Sequence, residues 1–270
     1  LYVACGEADR VAIVDCARHV LMGYLETDDS PEELLVGANG WKLYVACRAS
    51  RTIQVFDTAT RRLLTRYVLA REPGQMQVDE VRGVLEVSHV GGGPHTVLQL
   101  ETDALMSLQP KTVTSPISTT VERTVARFSG EVTAEIVSRV SLPDPNVFLG
   151  VSPLVPELLV TDQTTFWVRR RIPVGQGPCA MVQAPRGGKA YVALRGEDAV
   201  AVVDTDRLEV TGRVPVGCGP ARLLEVNGGR EMYVMNTDGG SVTVLRLDRD
   251  TVVKTIEVGG HPFGSACWPP

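Results

Sequence analysis

Histidines and carboxylates are the residues in this chain from which catalysis or metal binding could be assembled. His89 and His95 flank Gly91-Gly92-Gly93-Pro94, a turn flexible enough to bring two imidazoles together. A metal ion held there would need a carboxylate or a third histidine as well. Two solvated loop histidines are the other reading of the same residues. Asp15, Asp57, Asp162 and Asp204 each close an apolar alternation. Recurrence argues that they cap turns, because an active site needs its carboxylate once. Asp57-Thr58-Ala59-Thr60 and Asp204-Thr205-Asp206 are favourable Asx-turn sequences. Arg169-Arg170-Arg171 is the one dense basic run, and on a strand its side chains would alternate between two faces. There is no GxSxG elbow, no phosphate-cradling GxxxxGK[ST] and no HExxH. No catalytic residue, metal or cofactor is therefore assigned.

Six cysteines occur, and none forms a CxxC pair, which argues against a zinc ribbon. Cys5 and Cys47 both end the sequence LYVAC. Small buried thiols are expected, with a single bridge such as Cys5 to Cys267 as the alternative.

The elements that must position these residues follow from composition and repetition. With 270 residues and 44% hydrophobic content, the chain can bury a substantial core. A net charge of −5 argues against a nucleic-acid binder, which needs a basic stripe. No apolar run reaches the roughly 18 residues that would suggest a membrane span. Leu1 lies in a strand-like stretch without an initiator Met, as expected of a trimmed domain, so any signal peptide would lie outside it.

LYVAC at Leu1 recurs at Leu43, 42 residues on, and LEV at Leu85 follows at the same step. AYVAL at Ala190 and MYVMN at Met232 keep that spacing, as do PVGQGP, PVGCGP and EVGGHP at Pro173, Pro215 and Glu257. Asp15 to Asp57 and Asp162 to Asp204 keep it again. Landmarks that share one period define a repeat. Each unit reads as four short strands, β-branched and alternating, punctuated by Gly, Asp and Asn. Gly37-Ala38-Asn39-Gly40 and Asn227-Gly228-Gly229 read as hairpin turns. No helix of useful length is visible, Glu32-Glu33 offering at most a turn. Copies packed face to face around an axis bury both faces of each sheet and leave only short edges. The expected fold is an all-β propeller occupying residues 1–270 as one domain. Regular repeats cover 1–102 and 148–270, with degenerate short blades at 103–147.

Prolines at 31, 73, 116, 145, 178, 220 and 262 mark the crossings between blades. They give seven blades, two of them shortened around Pro116 and Pro145. Six blades is the alternative, because residues from Phe148 also align ungapped with those from Ala190. Phe263-Gly264-Ser265-Ala266-Cys267-Trp268 follows His261-Pro262 where an innermost strand belongs. It should pair with LYVAC and close the ring.

LYVAC, AYVAL and MYVMN, each followed by VxVxD-type residues and a strand ending in PVGxxP, resemble the YVTN-repeat propellers. Tyr233-Val234-Met235-Asn236 departs from that consensus at one position. The match is good over 1–85 and 173–270 and poor over 103–147. The resemblance implies a periplasmic, extracellular or surface-layer setting, and similar units occur in lactonases and d1-haem-binding propellers. In such folds the turns after the second strand and the blade crossings share one rim around the channel. That rim would carry Arg48, Arg51, His89, His95, Arg195, Glu197, Asp198, Cys218, Asp238 and His261. His261 stands where sister repeats have Cys218-Gly219 and Gln176-Gly177. Fold does not fix function. The expectation is a non-catalytic scaffold binding a protein or small-molecule ligand at the rim. A lactonase-like hydrolase and a haem-binding propeller are the alternatives.

Overall fold

The computed structural model describes residues 1–37, 40–79, 82–99, 104–106, 124–127, 133–185 and 187–267. Two compact units result, one of residues 1–115 with 258–270 and one of residues 116–257.

In the first unit the strands are β1 (Tyr2–Cys5), β2 (Arg10–Asp15), β3 (Val20–Glu26), β4 (Pro31–Val36), β5 (Lys42–Cys47), β6 (Thr52–Asp57), β7 (Leu63–Val68), β8 (Pro73–Asp79), β9 (Val84–His89), β10 (Thr96–Gln99) and β11 (Ala104–Met106). In the second they are β12 (Thr124–Arg127), β13 (Thr133–Ile136), β14 (Ser138–Ser141), β15 (Val147–Val151), β16 (Glu157–Asp162), β17 (Val168–Pro173), β18 (Pro178–Gln183), β19 (Lys189–Leu194), β20 (Ala199–Asp204), β21 (Glu209–Pro215), β22 (Pro220–Val226), β23 (Glu231–Asn236), β24 (Ser241–Arg246) and β25 (Thr251–Glu257). β26 (Pro262–Ala266) returns to the first unit.

Six antiparallel sheets have four strands: β26-β1-β2-β3, β4–β7, β8–β11, β14–β17, β18–β21 and β22–β25. A two-stranded sheet, β12-β13, completes the described set. The expected pairing of the final strand with the first repeat is present, with Tyr2 opposite Ala266. Trp268 lies outside the described residues, as do Pro116, Ala38 and Asn39.

The repeat sequence explains the layering. Residues of β5 point alternately to two neighbouring sheets. Leu43, Val45 and Cys47 pack with Ala4, Val11 and Ile13 of the first sheet. Tyr44 and Ala46 pack with Met76, Leu85 and Val87 of the third. Both faces of β5 are therefore buried, and its sequence is an apolar run instead of an in–out alternation. The second unit repeats the device. Ala190, Val192 and Leu194 of β19 face Leu149, Val151 and Leu158, whereas Tyr191 faces Met232 and Val234. Tyr2, Tyr44, Tyr191 and Tyr233 occupy equivalent registers, opposite Ile13, Val55, Val202 and Val244. Fourth strands such as β25 are largely exposed.

Two expectations need correction. Pro145 does not head an inner strand. It lies in the turn between β14 and β15, and that sheet begins at Ser138 with all four strands present. The blade read as shortened is a full sheet, and the Phe148-to-Ala190 alignment located it. Glu32 and Glu33 lie within strand β4, not in a turn. Among the described residues no helix is long and apolar enough to cross a membrane.

Candidate functional site

The turn from the second to the third strand and the crossing into the next sheet lie at one end of each sheet. In the first unit this crossing end holds Arg48, His89, His95 and His261; in the second it holds Arg195, Asp198 and Asp238.

Arg48 opens the β5–β6 turn and reaches two carboxylates, with Nε 3.1 Å from Glu72 and Nη1 3.3 Å from Glu32. Glu72, followed by Glu32, raises the Arg48 guanidinium further above its ordinary pKa. His89, at the end of β9, has both ring nitrogens engaged. Nδ1 lies 3.2 Å from the Glu72 carbonyl and Nε2 lies 2.9 Å from the Thr96 hydroxyl. His95 is exposed on the loop before β10. Thr96, not His95, is the neighbour that the Gly91–Pro94 turn brings to His89. His261 precedes β26 and places Nδ1 3.0 Å from Glu7 in the β1–β2 turn. Its carbonyl accepts the Gly6 N–H.

In the second unit, Arg195 grips Asp238 with Nε at 3.1 Å and Nη2 at 2.6 Å. Asp238, by hydrogen bonding and charge, raises the Arg195 guanidinium. Glu197 accepts the Gln176 N–H at 2.8 Å and pairs with Arg213 at 2.6 Å. Asp198 accepts the Gly219 N–H at 2.8 Å, fastening the next crossing. The Asp198 carboxylate also pushes the exposed Cys218 thiol up, since a thiolate beside it would add a second negative charge. Gly219 has φ 64°, and a Cβ on it would clash with the Asp238 carboxylate.

The recurrent aspartates behave as turn anchors. Asp15, Asp162 and Asp204 each accept two backbone N–H groups through Oδ1. Asp57 accepts the Thr60 N–H and hydroxyl. Backbone hydrogen bonds hold all four carboxyls below their ordinary pKa. Among the described residues no group of three or more His, Cys, Asp or Glu side chains is disposed to hold a metal. Glu7, Glu32, Glu72 and Arg213 complete the arrangement and were not singled out from the sequence. Glu72 precedes Pro73 as His261 precedes Pro262, so repeat position alone would have found it.

The chemistry of this end is that of paired charges joining neighbouring turns and crossings, carried on four-stranded meanders. That combination defines a β-propeller-like all-β protein. Solved structures share the fold. A functionally unknown protein from Desulfotomaculum acetoxidans aligns over 100% of this chain and 99% of its own, with TM-score 0.66 and 10% identity. Apo AztD from Citrobacter koseri aligns over 97% and 95%, with TM-score 0.64 and 12% identity. The dihydro-heme d1 dehydrogenase NirN, in complex with DHE, aligns over 95% and 63%, with TM-score 0.56 and 11% identity. AztD and NirN are propeller proteins. No family model matches the chain, and no curated protein matches it in sequence.

Proposed function

We propose that the chain is a single β-propeller domain over residues 1–270 that binds a protein or small-molecule ligand at the crossing end and catalyses no reaction. One observation carries this reading: most of the charged side chains proposed as contacts at that end are already held by an opposite charge. Arg195 with Asp238, Glu197 with Arg213, Arg48 with Glu32 and Glu72, and His261 with Glu7 are all engaged. A general acid or base needs a proton-transfer position facing substrate, with a pKa suited to that task. Fixed donors and acceptors on rigid turns suit recognition instead. Arg48, His89, His95, Arg195, Asp198, Asp238 and His261 are the proposed contacts.

The proposal includes seven blades in a closed ring. β13 runs into β14 as β3 runs into β4, which supports reading β12-β13 as the outer half of a further sheet. Its Ala126, Ala134 and Ile136 pack on Phe148 and Leu159, as one blade packs on the next.

The test uses the purified chain. Metal analysis, a visible spectrum and a panel of lactones come first, followed by a ligand screen by thermal shift. The proposal predicts no stoichiometric metal, no Soret band, no turnover, and a ligand whose affinity drops at least tenfold in Arg195→Ala or His95→Ala. Metal with lactone turnover would establish the hydrolase reading, and a Soret band the haem reading; either would overturn this one.

A further inference from the structure

Strand β26 brings together two cysteines from distant parts of the chain. Tyr2 lies between Ala266 of β26 and Ile13 of β2. Leu1 exchanges both backbone hydrogen bonds with Val14, at 3.0 and 2.8 Å. Cys267 follows Ala266, and Cys16 opens the turn after β2, so both reach the same end of the first sheet on either side of Leu1. There the Cys16 thiol comes close enough to Cys267 to push its pKa up, and both residues are partly exposed.

The other thiols of this unit are placed differently. Cys5 is buried, its Sγ 3.8 Å from the Val258 carbonyl, so the Cys5-to-Cys267 bridge considered from sequence is replaced by a contact with Cys16. Burial pushes Cys5 up to about 11 and Cys47 up to about 12. The Cys16 thiol and burial push Cys267 up as well, so its position beside Cys16, not its thiolate content, sets it apart from Cys5 and Cys47.

We propose that Cys16 and Cys267 form a disulfide that locks β26 onto the sheet of β1–β3 when a disulfide oxidant is present. One cysteine thiolate attacks the S–S bond of a small-molecule disulfide, forming a mixed disulfide and releasing one reagent thiolate. The second cysteine thiolate then attacks the protein sulfur of that mixed disulfide and expels the other reagent thiolate. The two cysteines together lose two electrons and two protons, and the reagent is reduced to two thiols. The bridge closes nearly the whole chain into one loop, and long loops restrict the unfolded chain most.

The experiment incubates the full chain, and in parallel its Cys218→Ser variant, with oxidised glutathione. Free thiols are alkylated, and the tryptic peptides are read by mass spectrometry. The expected result is a peptide linking Cys16 to Cys267. Melting should occur at least about 5 °C above that of the same protein reduced with dithiothreitol. Because the same chain is compared oxidised and reduced, the outcome does not depend on whether a variant folds. Recovery of Cys16 and Cys267 as separately alkylated or glutathionylated peptides would overturn the proposal. So would a bridge to Cys5, or a linked peptide with an unchanged melting temperature.

Discussion

Arg195 holds both carboxylate oxygens of Asp238, a residue one repeat and one position further along the chain. The pair joins the β19–β20 turn to the β23–β24 turn, so it ties two sheets of one unit at their crossing end. Its side chains are 50% and 37% exposed, which limits its worth through solvent screening. A double-mutant cycle of Arg195→Ala and Asp238→Ala, followed by urea denaturation, should give a coupling of about 0.5–1 kcal/mol. It should shrink in high salt.

Gly219 should tolerate no side chain. Its N–H is fixed by Asp198, its φ is left-handed, and a Cβ would strike the carboxylate that Arg195 holds. Gly219→Ala is expected to cost about 1–2 kcal/mol. Ser30, the equivalent residue of the first unit, keeps φ 58° with its N–H on Asp9. The left-handed backbone alone is therefore tolerable, and the clash dominates. Unfolding experiments should show Gly219→Ala costing less in an Asp238→Gly background, which removes the Asp238 Cβ as well as its carboxylate.

The four turn aspartates make stability fall in acid. Their folded-state pKa values lie below the ordinary carboxylate range, so the unfolded chain takes up protons first as pH drops. The contribution is complete above the unfolded value of about 4 and is lost as pH falls through the folded values. Urea midpoints should hold between pH 7 and 5 and decline steadily below about pH 4. Asp162→Asn, which keeps the acceptor oxygen without the charge, should flatten that acid limb.

Much of this was legible because a repeat writes the same physics several times. Tyr2, Tyr44, Tyr191 and Tyr233 share a register because a strand buried on both faces must stay apolar throughout. The sheet beginning at Ser138 was harder to read from proline landmarks, since no proline opens it and Pro145 sits in its first turn. The 42-residue step from Phe148 to Ala190 carried the better signal. Arg195 and Asp238 were chosen singly as rim candidates, but their pairing depends on side-chain reach between adjacent turns, which period alone does not give. Glu72 could have been found from its repeat position before Pro73, but Glu7 and Glu32 were missed for the same reason. They are ordinary surface glutamates until the turns of neighbouring sheets are placed side by side. His89 admits two readings from sequence, half of a metal site or a solvated loop histidine; in the fold its nitrogens lie beside the Glu72 carbonyl and the Thr96 hydroxyl.

The closure of the first sheet depends on β26 pairing with β1. Hydrogen exchange and thermal melting of a chain ending at His261 test it directly. Without β26, the Tyr2–Cys5 amides that face it should lose protection, and melting should drop by more than about 5 °C. Unchanged protection with an unchanged melting temperature would contradict the pairing of Tyr2 with Ala266.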